Sequence, residues 1–161
     1  MQKRLEFTKV YPEALNAMLA LSKAVDKAVE KSGLPPQLID LVNYRVSQLN
    51  GCAFCLDMHS KDLRARGETE QRLYMIGAWR EAPHLYSDRE RAALAWAEAV
   101  TRLDNQEVPD AVYDVASQKF SEAELAQLTL AIVAISGWNR FNVAFHTPAG
   151  DYKSNIKQSA A

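Results

Sequence analysis

Cysteine is scarce in this sequence: of 161 residues, only Cys52 and Cys55 carry a thiol. That excludes the multi-disulfide framework with which small secreted domains replace a core. Histidine is almost as scarce, with three residues, His59, His84 and His146. There is no long apolar run. The strongest, residues 128–135, contains Thr129 and is far too short to cross a bilayer. Neither sign of charge dominates. With a net charge of −1 and a pI near 6.3, the total offers no basic stripe for nucleic acid or anionic lipid. No segment alternates with a period of two for long enough to read as a strand. The first residues are charged and lack the apolar core of a signal peptide. The expected location is therefore cytoplasmic, with no membrane and no nucleic acid as partner. In that reducing compartment, two thiols spaced CxxC are expected to be catalytic or metal-binding. A bridge across two intervening residues would close too small a loop to stabilise a fold much.

What the sequence does have is helical periodicity. Over residues 11–32, Leu15, Met18, Leu19, Leu21, Val25, Ala28 and Val29 recur at helical spacing. Gly33 and the pair Pro35-Pro36 end that helix, and Pro36 suits the first turn of the next. The second helix, 36–49, buries Leu38, Leu41, Val42, Val46 and Leu49. Asp40, Asn43, Tyr44 and Ser47 form a separate polar stripe on it. Asn50-Gly51 makes a sharp turn, and a third helix runs from about 52 to 67. A short helix follows over 68–80. Ser87 with Glu90, and Ser121 with Glu124, have the capping-box pattern ahead of two further helices, the second reaching about residue 145. Pro109 fits the start of another short helix. Residues 1–10 read as a charged lead-in and 151–161 as a frayed polar tail. The expected fold is all-α, a helical bundle of about seven helices, forming one domain over residues 1–161 with its core at about 10–150. Gly137, inside the last helix, costs about 1 kcal/mol against alanine. It is a candidate for close packing or a subunit contact.

The stretch at 50–59 carries the chemistry. A free thiol near pKa ~8.5 is mostly protonated at neutral pH, and the thiolate is the attacking species. The Asn50-Gly51 turn puts both cysteines at a helix N-terminus, where unpaired N–H groups and the macrodipole favour an anion. Cys55 and His59 are i, i+4 and share a face, so His59 can take the thiol proton or stabilise the thiolate. Asp40, on the preceding helix, can orient His59 or hold a proton-relaying water. Cys52 and Cys55 lie nearly one turn apart, close enough for a disulfide. One thiol can then be oxidised to a sulfenic acid and the other can resolve it, after which a reductant restores both. Two alternatives stay open. Cys52, Cys55, His59 and Asp40 could in principle hold Zn²⁺, though structural zinc usually recruits a second Cys/His pair. The thiols could also simply pack. A redox sensor, in which the disulfide alters an oligomeric interface, uses the same residues.

The other chemically tempting residues have plainer expectations. His84 reads as a surface histidine and His146 as a cap at the end of the last helix. Trp79, Trp96 and Trp138 read as core or subunit contacts. Arg140 is expected in an ion pair. Tyr44 and Ser47 could line a pocket with Asp40 or serve packing.

Residues 34–42, then 45–59 with the run Asn50-Gly51-Cys52-Ala53-Phe54-Cys55-Leu56-Asp57-Met58-His59, and Trp138-Asn139-Arg140-Phe141-Asn142 further on, resemble the alkylhydroperoxidase D-like branch of the carboxymuconolactone decarboxylase family. The resemblance spans roughly residues 10–150. It implies an all-helical fold, a homo-oligomer (trimer or hexamer) and a thiol peroxidase activity. The partners implied are a hydroperoxide substrate and an external dithiol reductant, protein or small thiol; no cofactor is called for. Carried over residue by residue, Cys55 is the peroxidatic cysteine, Cys52 the resolving one, and His59 the family's histidine. Asp40 takes the place of an acidic relay residue that is usually Glu. Asp is one methylene shorter, and Phe54 stands where some members carry a histidine between the cysteines. Both departures bear on proton relay and leave the dithiol untouched.

Overall fold

A computed structural model describes residues 2–156 of the chain. The described residues form eight α-helices and no strand: α1 (Phe7–Val10), α2 (Pro12–Ser32), α3 (Pro36–Leu49), α4 (Ala53–Ala65), α5 (Glu70–Met75), α6 (Asp88–Arg102), α7 (Asp110–Lys119) and α8 (Glu122–Ala144). Short 3-10 turns lie at Ile76–Glu81, Pro83–Leu85 and Asp104–Gln106. The all-α expectation holds, and the local signals act where the sequence puts them. Gly33 ends α2 at φ +74°, a left-handed conformation that costs glycine little. Both capping boxes form, with Ser87 and Ser121 accepting from the backbone N–H of Glu90 and Glu124, whose carboxylates accept in return.

α8 is the central element. It is apolar on most sides and buries Leu125, Leu128, Ala131, Ile132, Ala134 and Ile135. α2, α3, α4, α6 and α7 pack on it. The larger core gathers those side chains with Leu38, Ile39, Val42 and Val46 of α3, and it includes both cysteines. A second core joins Leu41, Leu63, Leu73, Ile76, Trp79, Tyr86 and Leu94 on the other side of α3. A buried ion cluster lies between α3 and α6. Glu98 accepts from Arg45 (2.7 Å), Trp79 Nε1 (2.9 Å) and Arg80 (2.6 Å).

The structure corrects the sequence reading in four places. The charged lead-in contains a helical turn, α1, because Phe7 is buried by stacking on Phe141 with ring centroids 4.6 Å apart. The helix expected over 68–80 is α only at Glu70–Met75. It breaks at Ala78 (φ −120°, ψ 30°), next to the buried Trp79. The tail is not frayed at its start: Lys61 of α4 donates to the carbonyls of Gly150 (2.9 Å) and Tyr152 (2.8 Å), and the Tyr152 hydroxyl donates to Asp62 (3.0 Å). Residues 157–161 of that expected tail lie outside the described residues. Among the described residues, Arg140 makes no ion pair of the kind expected; it is exposed and donates to the Ser136 carbonyl of its own helix at 2.9 Å. Gly137 serves close packing, since a Cβ there would sit 2.9 Å from Met18 Cε of α2.

Candidate active site

The site is built from the Asn50-Gly51 turn outward. Gly51 takes φ +65°, which lets the chain reverse between α3 and α4. The turn is anchored to α8 by a buried amide chain. Asn50 Nδ2 donates to Asn139 Oδ1 (2.9 Å), and Asn139 Nδ2 donates to Ser47 Oγ (3.1 Å). Ser47 is therefore a strut for the turn and not a pocket residue, and Tyr44 packs against the second core.

Cys52 is the N-cap of α4, with an extended backbone, and its Sγ accepts the backbone N–H of Cys55 at 3.3 Å. The thiol occupies the place that Ser, Thr, Asp or Asn usually fills at a helix start. Cys52 and Cys55 are joined as a disulfide, with their Cα atoms 5.3 Å apart, inside the usual range. Both are 1% exposed. The sulfurs bond to each other, and no group of three or more potential metal ligands gathers among the described residues. Asn142 of α8, also buried, donates its side-chain amide toward Cys55 Sγ at 3.5 Å.

One turn further along α4, His59 is buried, and neither ring nitrogen has a hydrogen-bond partner among the described residues. Its Nδ1 lies 3.6 Å from Asp40 Oδ1, beyond hydrogen-bond reach but within ion-pair range. The other carboxylate oxygen of Asp40 accepts from Arg66 Nε at 2.7 Å. Of the four expected residues, the two cysteines are joined to each other and Asp40 comes within ion-pair range of His59, with a gap in place of a direct His59–Asp40 bond.

His59 and Asp40 face a cavity of about 470 Å³ between α2, α3, α4 and α8. That is within the range of small-molecule pockets. Its walls are largely apolar, from Val25, Val29, Ile39, Ala134, Ile135 and Trp138, and Asn43 adds a buried Oδ1 that also lacks a partner among the described residues. Trp138 therefore does more than pack, presenting a face here while its indole N–H donates to Ser22 at 3.0 Å. Trp79 and Trp96 are core residues as expected. Asp26 and Glu30 stand at the cavity's margin. Burial pushes the Asp26 carboxyl up, and the charges of Glu30 and Asp40 push it the same way.

Sequence reasoning did not find three residues of this site: Arg66, Asn139 and Asn142. Arg66 lies only seven residues beyond His59, in a stretch that reads as a solvated face. From more than eighty residues away, Asn139 reaches the turn ahead of the dithiol and Asn142 reaches Cys55. The signals available for them were polar side chains inside the most apolar helix and their place in the run Trp138 to Asn142 that carries part of the family resemblance. His84 is exposed, as expected. His146 follows α8 at φ 53°, with Nδ1 3.2 Å from the Gln2 carbonyl oxygen.

Comparison with known proteins agrees with this architecture. The model of the carboxymuconolactone decarboxylase family matches residues 12–99. The uncharacterised protein YdfG of Bacillus subtilis is 38% identical over 144 residues, covering 89% of this chain and 95% of YdfG. A crystal structure of a protein of unknown function from Agrobacterium tumefaciens, assigned provisionally to the antioxidant defence protein AhpD, superposes with a TM-score of 0.87. It is 38% identical, covering 94% of this chain and all of that one. An alkylhydroperoxidase AhpD core from Ralstonia eutropha, an uncharacterised peroxidase-related protein, has a TM-score of 0.73 at 19% identity, over 89% of this chain and 74% of that one. At that identity the likeness is one of fold.

Proposed function

The chain belongs to the carboxymuconolactone decarboxylase family, in its alkylhydroperoxidase D-like branch, and on that premise we propose that it is a thiol-dependent peroxidase that reduces alkyl hydroperoxides or hydrogen peroxide. The observation that carries this reading is the Cys52–Cys55 disulfide at the N-terminus of α4, with His59, which has no hydrogen-bond partner among the described residues, one turn below Cys55 and Asp40 beside it. In the reduced protein, His59 takes the Cys55 proton, assisted by the helix dipole. The Cys55 thiolate attacks the terminal peroxide oxygen. The O–O bond breaks, and the alcohol leaves with the proton that His59 returns. Cys55 is now a sulfenic acid. The Cys52 thiol attacks its sulfur, water leaves, and the disulfide forms. An external dithiol returns two electrons and two protons. Asp40, tied by Arg66, steadies His59 electrostatically across the 3.6 Å gap.

The cavity supports a small, mainly apolar substrate with a polar head. Among the described residues, His59 Nδ1 and Nε2 and Asn43 Oδ1 are buried without hydrogen-bond partners on two side chains that line it, as a hydroperoxide group requires. We further assign a homo-oligomer of three or six chains. Exposed Leu19 and Val133 on α2 and α8, and Tyr74 and Met75 at the end of α5, are available for contacts between copies.

The test is consumption of cumene hydroperoxide with dithiothreitol as electron donor. Wild type turns over. Cys55→Ser is inactive, and Cys52→Ser completes the first oxidation but does not cycle. Full turnover by Cys55→Ser overturns the reading.

A further inference from the structure

The site has two cavities that share no lining residue. His59 and Asp40 face the first. Cys52 faces the second, of about 430 Å³, between the start of α4 and the chain that follows α8. Asn142 connects the second cavity to the buried sulfur: it lines that cavity and its amide donates toward Cys55 Sγ. We propose that the second cavity is where the reducing thiol enters, and that Asn142 is a catalytic residue that holds the Cys55 thiolate released there. The proposal rests on the peroxidase reading for its place in the cycle.

Charge separates the two entrances. The attacking form of a reductant is a thiolate. The first cavity is lined by Asp26, Glu30 and Asp40, with Arg66 already bound to Asp40. An anion is repelled there and a neutral hydroperoxide is not. Among the described residues, the second cavity has no carboxylate in its lining. Its walls are Phe54, Val143, Pro148, backbone, and the single titratable side chain His146. The sulfur it reaches is that of Cys52, the one a thiolate must attack if Cys55 is to be freed for the next peroxide.

The step balances. The reductant's thiolate attacks Cys52 Sγ, the Cys52–Cys55 bond breaks, and its electron pair goes to Cys55 Sγ. A mixed disulfide joins the reductant to Cys52. The reductant's second thiol then attacks its own mixed-disulfide sulfur, and Cys52 leaves as a thiolate. The two protons of the reductant end on the protein's thiols, and the reductant departs as a disulfide. Thiol–disulfide exchange speeds up as the leaving thiol becomes more acidic. A hydrogen bond to the charged form of a group makes that group more acidic, and the Asn142 amide is a donor already in place.

Two measurements test this. The first is the thiolate titration of Cys55 by ultraviolet absorbance in reduced Cys52→Ser protein. Asn142→Leu should raise its pKa by about one pH unit, and the isosteric Asn142→Asp, which puts a carboxylate against the sulfur, should raise it further. The second follows the two half-reactions separately: disulfide reduction by dithiothreitol, and single-turnover oxidation of the reduced protein by cumene hydroperoxide. Val143→Trp, at an exposed position on the second cavity, should slow reduction about tenfold and leave oxidation at its original rate. The proposal is overturned if Cys55 titrates at the same pH with and without Asn142. It is also overturned if Val143→Trp slows both half-reactions alike, or neither. A wild-type protein that peroxide does not oxidise sinks the peroxidase reading instead, and the titration and the reduction arm still decide this one.

Discussion

Asp40 and His59 approach to 3.6 Å while Arg66 holds the far oxygen of Asp40 at 2.7 Å, so the carboxylate is anchored on the side away from the histidine. A direct hydrogen bond would need about 3.2 Å or less. One more methylene exceeds that shortfall. Asp40→Glu should therefore raise the single-turnover rate of peroxide reduction severalfold. Asp40→Asn should lower it about a hundredfold, the scale of general acid–base assistance. Equal rates across Asp, Glu and Asn would detach Asp40 from the proton path. At this scale the sequence was legible where the residues are neighbours on one helix or an adjacent one. Cys52, Cys55 and His59 share a single turn-to-helix segment, and Asp40 lies on the helix that leads into it. Asn139 and Asn142 come from α8, and Arg66 is recognisable as Asp40's partner only when α3 and α4 are seen side by side. Spacing in one chain segment says nothing about such pairings.

The helices were legible wherever a boundary is set by local chemistry: the αL glycine at 33, Pro36 at a first turn, and the two capping boxes. They were not legible where a long-range contact decides. The turn at Phe7–Val10 exists because Phe7 reaches Phe141, and the start of the tail is held by Lys61 and Asp62 of α4. The strongest such long-range link is Glu98 of α6. Burial alone would push its carboxyl up, but hydrogen bonds from Trp79, Arg80 and Arg45 outweigh it and hold the carboxyl below the ordinary value. A lowered carboxyl pKa contributes stability above the unfolded value of about 4.3, and that stability is lost as pH falls through the folded value. Glu98→Ala also leaves Arg45, 9% exposed, without its anion. It should cost about 3 kcal/mol in urea unfolding at neutral pH. The cost should shrink as the pH is lowered through the folded pKa, because the wild-type carboxylate is then protonated too. An undiminished cost in acid would mean that Glu98 acts through packing alone. Among the described residues no helix is long and apolar enough to cross a membrane.

For the whole molecule, the arrangement of helices sets His59 and Asp40 on an acidic-rimmed cavity and Cys52 on a second cavity with no carboxylate among its described lining residues, which no single segment of sequence displays. The acidic side chains at the first cavity come from two helices: Asp26 and Glu30 from α2, Asp40 from α3. Arg66 neutralises one of the three charges. An alkyl hydroperoxide that carries its own carboxylate must therefore enter against a net negative margin, while cumene hydroperoxide meets only the apolar walls. A fatty-acid hydroperoxide and its neutral methyl ester would present the same O–O bond to Cys55, so a difference in kcat/KM between those two would be set by access and binding. Wild type should favour the neutral ester over the fatty-acid hydroperoxide by about tenfold at low ionic strength, the equivalent of about 1.4 kcal/mol. Added salt should narrow the preference, since exposed charges are screened within about 10 Å at 0.1 M. The double variant Asp26→Asn, Glu30→Gln should narrow it without salt, and it leaves Asp40, His59 and both cysteines in place. A preference that persists through salt and through that double variant would place the discrimination in the shape of the apolar walls. No preference at all would mean that the carboxylate of the substrate stays in solvent, beyond the reach of α2.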